Sequence, residues 1–161
     1  MTKKELAQLQ NNLYVVYTDG SCINNGLPTA IASWSYIVTD SNDNVLEAST
    51  GKIVGPQNSN RAELTAFLKA LQYIRNQRFD KFIIRTDYEA LVLFCKGSSH
   101  PKANHDLYKQ IDYLYKLVQD RVIVEKVQGH QSHLSVANSM NGIVDKLARK
   151  CNELFSGKSA V

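Results

Sequence analysis

Four acidic residues in this 161-residue chain stand where carboxylates can do chemistry. Asp19 follows the apolar run of "LYVVYTDGSC", and Asp87 follows that of "KFIIRTD". Glu63 lies in "SNRAELTAFLKALQYIRNQ" and Asp145 in "NGIVDKLARKCNEL", each expected in the first turn of a helix. A carboxylate at the tip of a strand apolar enough to be central in a sheet is costly unless a cation meets it. If the strands bearing Asp19 and Asp87 are parallel neighbours, both acids emerge at the edge where α/β sheets host their sites. Two converging carboxylates repel unless one is protonated or a cation bridges them. Oxygen donors with no cysteine or histidine pair beside them suit Mg²⁺ or Mn²⁺ rather than zinc. First-turn acids such as Glu63 and Asp145 also serve simply to complement a helix dipole, so on position alone both uses stay open for them.

The elements that must position these acids are legible from periodicity. The run Leu13–Tyr17 reads as a buried strand that delivers Asp19 into a Gly-Ser turn. "AIASWSYIVTD" and "NVLEASTGKIVG" read as a second and third strand around the hairpin connection "DSNDN". Leu64, Phe67, Leu68, Leu71 and Ile74 recur at helical spacing, with Ser59 or Asn60 as the expected N-cap. "KFIIRTD" is the fourth strand, "YEALVLFCKG" a short helix, and "DLYKQIDYLYKLVQ" a helix with Leu107, Ile111, Leu114 and Leu117 or Val118 in register. "RVIVEKV" is the fifth strand, and the loop "QGHQSHLSVANSM" leads to a last helix. A three-strand meander followed by strand-helix alternation predicts an α/β fold, a mixed five-stranded sheet flanked by helices.

Composition sets limits on function. Hydrophobic residues make up 43% and charged residues 21%, as in a globular chain. No apolar run approaches the roughly 20 residues of a membrane-spanning helix, so no membrane partner is expected. The start "MTKKELAQLQNN" has no apolar signal-peptide core. Three well-separated cysteines, Cys22, Cys95 and Cys151, suit a reducing compartment, cytoplasmic or nuclear. The net charge of +4 permits a polyanionic partner without establishing one.

"YTDGSC", "NRAEL", "TD" after an apolar strand, "GH", and "N…VD.LA", in that order from Tyr14 to about Leu154, resemble the ribonuclease H domain in its type I and retroviral form. A lone "TDG" is common, whereas the ordered set on a matching strand-helix pattern is specific. The resemblance implies a ribonuclease H-like fold and endonucleolytic hydrolysis of the RNA strand of an RNA–DNA hybrid. By the same resemblance Asp19, Glu63, Asp87 and Asp145 hold two Mg²⁺ ions, with Mn²⁺ able to substitute, in a two-metal-ion mechanism that leaves 5′-phosphate and 3′-hydroxyl ends. His130 of the "GH" loop maps to a proton-shuttling position, and Asn141 to the helix-start asparagine. Hybrid contacts fall on the backbone of Gly20, Ser21 and Cys22 and on the side chains of Asn58, Ser59 and Asn60, lying in a shallow minor groove that exposes the 2′-hydroxyl. Arg61 has two readings, a phosphate contact or an ion pair on the helix surface. The expected division is a flexible lead-in over 1–12, a catalytic domain over 13–155 and a flexible tail over 156–161.

The chain also departs from the family. "INNGLPTAIAS" replaces a glycine-rich turn, and Tyr88-Glu89 stands where serine followed by glutamine or arginine is usual. The segment from Asp87 to Asp106 is too short for the basic helical handle of cellular type I enzymes, a feature shared with retroviral domains. Fewer phosphate contacts mean weaker, less salt-sensitive binding, so either the enzyme tolerates weak binding or a partner, a polymerase or other module, supplies affinity; the chain itself is expected to be a monomer. The competing reading is a catalytically weak or dead nucleic-acid-binding domain that needs a partner such as a reverse transcriptase. Integrases, transposases and resolvases share the fold but lack the "NRAEL" acid together with the "GH…D" ending.

Overall fold

A computed structural model describes Thr2 and residues 13–78 and 80–127. Within them the order is β1 (Leu13–Ile23), β2 (Ile31–Thr39), β3 (Val45–Lys52), α1 (Ser59–Arg75), β4 (Lys81–Thr86), α2 (Glu89–Cys95), α3 (His105–Val118), a 3₁₀ turn (Gln119–Arg121) and β5 (Val122–Lys126). The strands form one mixed sheet in the order β3-β2-β1-β4-β5. β1 pairs antiparallel with β2 and parallel with β4, and β4 pairs parallel with β5. The expected meander and central first strand are therefore present.

A central strand is covered on both faces, which is why β1 reads as an unbroken apolar run. Val16 faces α1 within the main core, among Leu64, Phe67, Leu71, Ile74, Phe82 and Ile84. Val15 and Tyr17 point to the opposite face with Ile37 and Ile83. All five apolar positions expected to form the face of α1 are buried. In α3, Leu107, Ile111 and Leu114 are buried as expected, and the alternative at the end resolves to Val118, since Leu117 is exposed.

Three local expectations are corrected. β1 does not end at Tyr17; it runs on to Ile23, because β2 continues to pair with it through Ile23↔Ile31. The chain turns instead at Asn24–Thr29, where Asn24 and Gly26 take positive φ. The N-cap of α1 is Asn58, whose side chain accepts from the Arg61 N–H at 2.9 Å. Glu63 consequently lies beyond the first turn of α1, where no acid occurs. Its use as a simple dipole complement loses its basis.

Candidate active site

Asp19 sits inside β1, opposite Ser35 of β2, and only 1% of its surface is exposed. Its Oδ1 accepts the Gly20 N–H at 3.0 Å. On the other side of β1, pairing with β4 stops at Tyr17↔Arg85. Extending that register by one pleat brings Asp19 level with Asp87, just past the end of β4. The chain leaves β4 there because Thr86 holds the bend: its buried hydroxyl accepts the Tyr88 N–H at 3.1 Å, and its carbonyl accepts the Val127 N–H at 2.9 Å.

Glu63 reaches the same edge because α1 lies very close to β1. A Cβ built on Gly20 would be 2.4 Å from both the Ala62 carbonyl carbon and the Glu63 nitrogen. No side chain fits at that crossing. One carboxylate oxygen from each of Asp19, Glu63 and Asp87 lies within 4.8 Å of the others. Three carboxylates so close could hold a cation, and hard oxygen donors of this kind fit Mg²⁺ or Mn²⁺. Asp145, His130 and Asn141 lie outside the described residues.

The N-terminus of α1 is anchored on two sides. Asn25 of the β1–β2 loop donates to the Ser59 hydroxyl at 3.1 Å and accepts the Ser59 N–H at 3.2 Å. Arg61 forks onto Asp106 of α3 at 3.0 and 2.8 Å and also donates to Asn104 at 3.3 Å. Hydrogen bonding to Arg61 holds the Asp106 carboxyl down to about 2. Gly20, Ser21 and Cys22 lie on the length of β1 that outruns β4, so no described strand covers their backbone on that side. Asn58 is occupied as the cap, Ser59 is tied to Asn25, and Asn60 is exposed. Glu89, at the start of α2, lies 3.7 Å from Lys126.

Sequence reasoning missed two supports of this site. The Asn25–Ser59 clip joins residues far apart in the chain and carries no local signal. The second is a row on the sheet face away from α1. There Arg85 donates to the Tyr17 hydroxyl at 2.9 Å and to Glu125 at 3.2 Å, with its guanidinium 5.6 Å from the Tyr17 ring centre. Burial pushes the Tyr17 phenol up, against the pull of Arg85.

The sequence pattern of the RNase H family matches residues 11–153. The chain belongs to the RNase H family. With that family goes the enzyme class, a ribonuclease H. No curated protein matches the chain. Among solved structures, RNase H1 LC11 from a compost metagenome is 20% identical, with a TM-score of 0.73 over 89% of this chain and 98% of its own. LC11 has also been solved in complex with an RNA/DNA hybrid. The N-terminal RNase H domain of Rv2228c from Mycobacterium tuberculosis is 20% identical, with a TM-score of 0.72 over 92% of this chain and 99% of its own. The protease–reverse transcriptase of prototype foamy virus is 21% identical, with a TM-score of 0.70 over 86% of this chain but only 20% of its own. At these identities the structures establish the RNase H fold of the chain, a mixed five-stranded sheet with helices, and the sequence pattern establishes the family.

Proposed function

We propose that this chain hydrolyses the RNA strand of RNA–DNA hybrids endonucleolytically, leaving 5′-phosphate and 3′-hydroxyl ends, at the edge formed by Asp19, Glu63 and Asp87. The observation that carries the proposal is the convergence of these three carboxylates within 4.8 Å in a chain of this family. Asp19, Glu63 and Asp87, with Asp145, would hold two Mg²⁺ ions, and Mn²⁺ would serve in their place. Bound cations of this kind supply an activated water and stabilise the leaving oxygen of an in-line displacement.

The chain's own residues prepare that chemistry. Asp19 is oriented by the Gly20 N–H, and burial keeps its carboxylate from wandering. Gly20 permits the approach of α1 that brings Glu63 within reach. Gly20, Ser21 and Cys22 offer backbone along the side of β1 that no described strand covers; we assign these, with Asn58, Ser59, Asn60 and Asn141, to the minor groove of the hybrid, where the 2′-hydroxyl is exposed. His130 would move a proton at an imidazole nitrogen during water activation or product release. The bidentate pair with Asp106 favours the second reading of Arg61, a strut between α1 and α3.

α2 passes to α3 through residues 96–104 with no intervening helix, so no basic handle is built there. For that reason we propose that a polymerase or other module supplies part of the affinity, a reading supported by likeness to one domain of a viral protease–reverse transcriptase.

The deciding test is cleavage of a labelled RNA–DNA hybrid with and without Mg²⁺, alongside Asp87→Asn. Single-stranded RNA, duplex RNA and duplex DNA serve as controls. Metal-dependent cutting of the hybrid's RNA strand, abolished by the substitution, is the expected result. Binding without cutting would make the chain a binding module, and cutting of DNA would overturn the substrate assignment.

A further inference from the structure

Arg85 lies one pleat behind the carboxylate cluster and takes no part in the mechanism above. Strand alternation places Lys81, Ile83 and Arg85 on the face of β4 away from α1, where Ile83 packs with Val15 and Tyr17. Asp87 follows Arg85 by two residues, and Asp19 follows Tyr17 by two, so the row Tyr17–Arg85–Glu125 runs across β1, β4 and β5 with its backbone about 7 Å behind that of Asp19 and Asp87. The guanidinium leans toward β1: Nη1 is 2.9 Å from the Tyr17 hydroxyl and Nε is 3.2 Å from Glu125. The positive end of the Arg85–Glu125 pair therefore faces the strands that carry Asp19 and Asp87, and its negative end lies on the outer strand. A cation held beside a group of carboxylates offsets their mutual repulsion.

We infer that Arg85, clamped by Tyr17 and Glu125, is a built-in counter-charge to the Asp19/Glu63/Asp87 cluster, stabilising the cation-free site and thereby limiting its affinity for divalent metal. The inference rests on the reading of these acids as metal ligands. Arg85 favours the empty state over the filled one, because in the filled state the incoming cations and the guanidinium repel. By thermodynamic linkage, removing Arg85 must cost the metal-free protein more stability than the metal-bound protein. A purely structural role, knitting β1, β4 and β5 together, would cost both states the same.

The test is Mn²⁺ binding by titration calorimetry, paired with thermal melts in chelator and in saturating Mn²⁺. Arg85→Gln is expected to bind Mn²⁺ roughly three- to tenfold more tightly than wild type, on charge–charge interaction at this separation in a water-like dielectric. Its melting temperature should fall further below wild type in chelator than in Mn²⁺. Arg85→Lys keeps the charge and should stay within about twofold of wild type. Glu125→Gln, at an exposed position that tolerates change, strips the pair of its negative end and should bind Mn²⁺ roughly twofold more weakly. Lys81→Gln, on the same face at the far end of β4, should leave binding unchanged. Equal Mn²⁺ affinity in wild type and both Arg85→Gln and Glu125→Gln, with equal loss of melting temperature in the two conditions, overturns the inference and leaves the metal site standing. A wild type that binds no Mn²⁺ overturns the metal-site reading itself, and this inference with it.

Discussion

Gly20 presents bare backbone to α1, and a methyl group there would press on the Ala62 carbonyl carbon and the Glu63 nitrogen at 2.4 Å. Both atoms belong to helix backbone, which cannot swing aside as a flexible side chain can. Gly20→Ala should therefore displace the start of α1, cost about 1–3 kcal/mol in a urea melt, and slow hybrid cleavage roughly 10²-fold by misplacing Glu63. A mutant that melts lower yet cuts normally would contradict this coupling of packing to chemistry. Cysteine chemistry is also decided residue by residue. Burial pushes the Cys95 thiol up to about 12, so near neutral pH it is almost entirely protonated. Maleimide labelling of the folded protein at about pH 7.5 should spare Cys95 and reach it only on unfolding, as peptide mass mapping would read.

Helix α1 links the core to the site, and its two ends of that link can be separated. Leu64, Phe67, Leu71 and Ile74 bury its core face, while Asn58, Asn25 and Asp106 hold its first turn over the sheet edge. Asn58→Ala removes the cap acceptor and should cost about 1 kcal/mol, measured by denaturant melt, because an N-terminal N–H loses its partner. The Arg61–Asp106 strut carries its own acid signature. The folded carboxyl titrates about 2, below its ordinary 3.8, so its contribution to stability is full above about 4 and disappears as pH falls through about 2. Urea midpoints followed from about pH 5 to 2 should decline less steeply in Asp106→Asn than in wild type, since that variant has no proton to take up at this site. Parallel curves would show that the strut contributes nothing to acid stability.

At the scale of the molecule, the direct passage from α2 to α3 leaves no basic helix between them among the described residues. Few phosphate contacts should then govern hybrid binding. With Asp87→Asn protein, the slope of log Kd against log salt is expected to report about three to five neutralised phosphates, read by fluorescence anisotropy. A slope equivalent to about eight or more would mean that the chain grips the duplex by another surface, and no auxiliary module would be needed. Among the described residues no helix is long and apolar enough to cross a membrane.

Strand and helix identities were determined by the sequence itself, because periodic burial is written locally: the continuous apolar run of β1 and the helical spacing from Leu64 to Ile74 each record how many faces a segment hides. Asp19 and Asp87 stand out the same way, by charge placed where apolar runs end. Family membership also followed from ordered local motifs. Only the tertiary structure decided how far β1 extends, since Asp19 stays in the strand through the pairing that β2 offers it, a partner more than a dozen residues away. It also decided that Gly20 is a packing glycine, that Asn58 caps α1, and that Arg61 pairs with Asp106. Likewise Tyr17, Arg85 and Glu125 look unrelated along the chain and become one row only when β1, β4 and β5 align. Contacts between distant segments depend on register and on the distance between elements, and neither is encoded in the periodicity of any single segment.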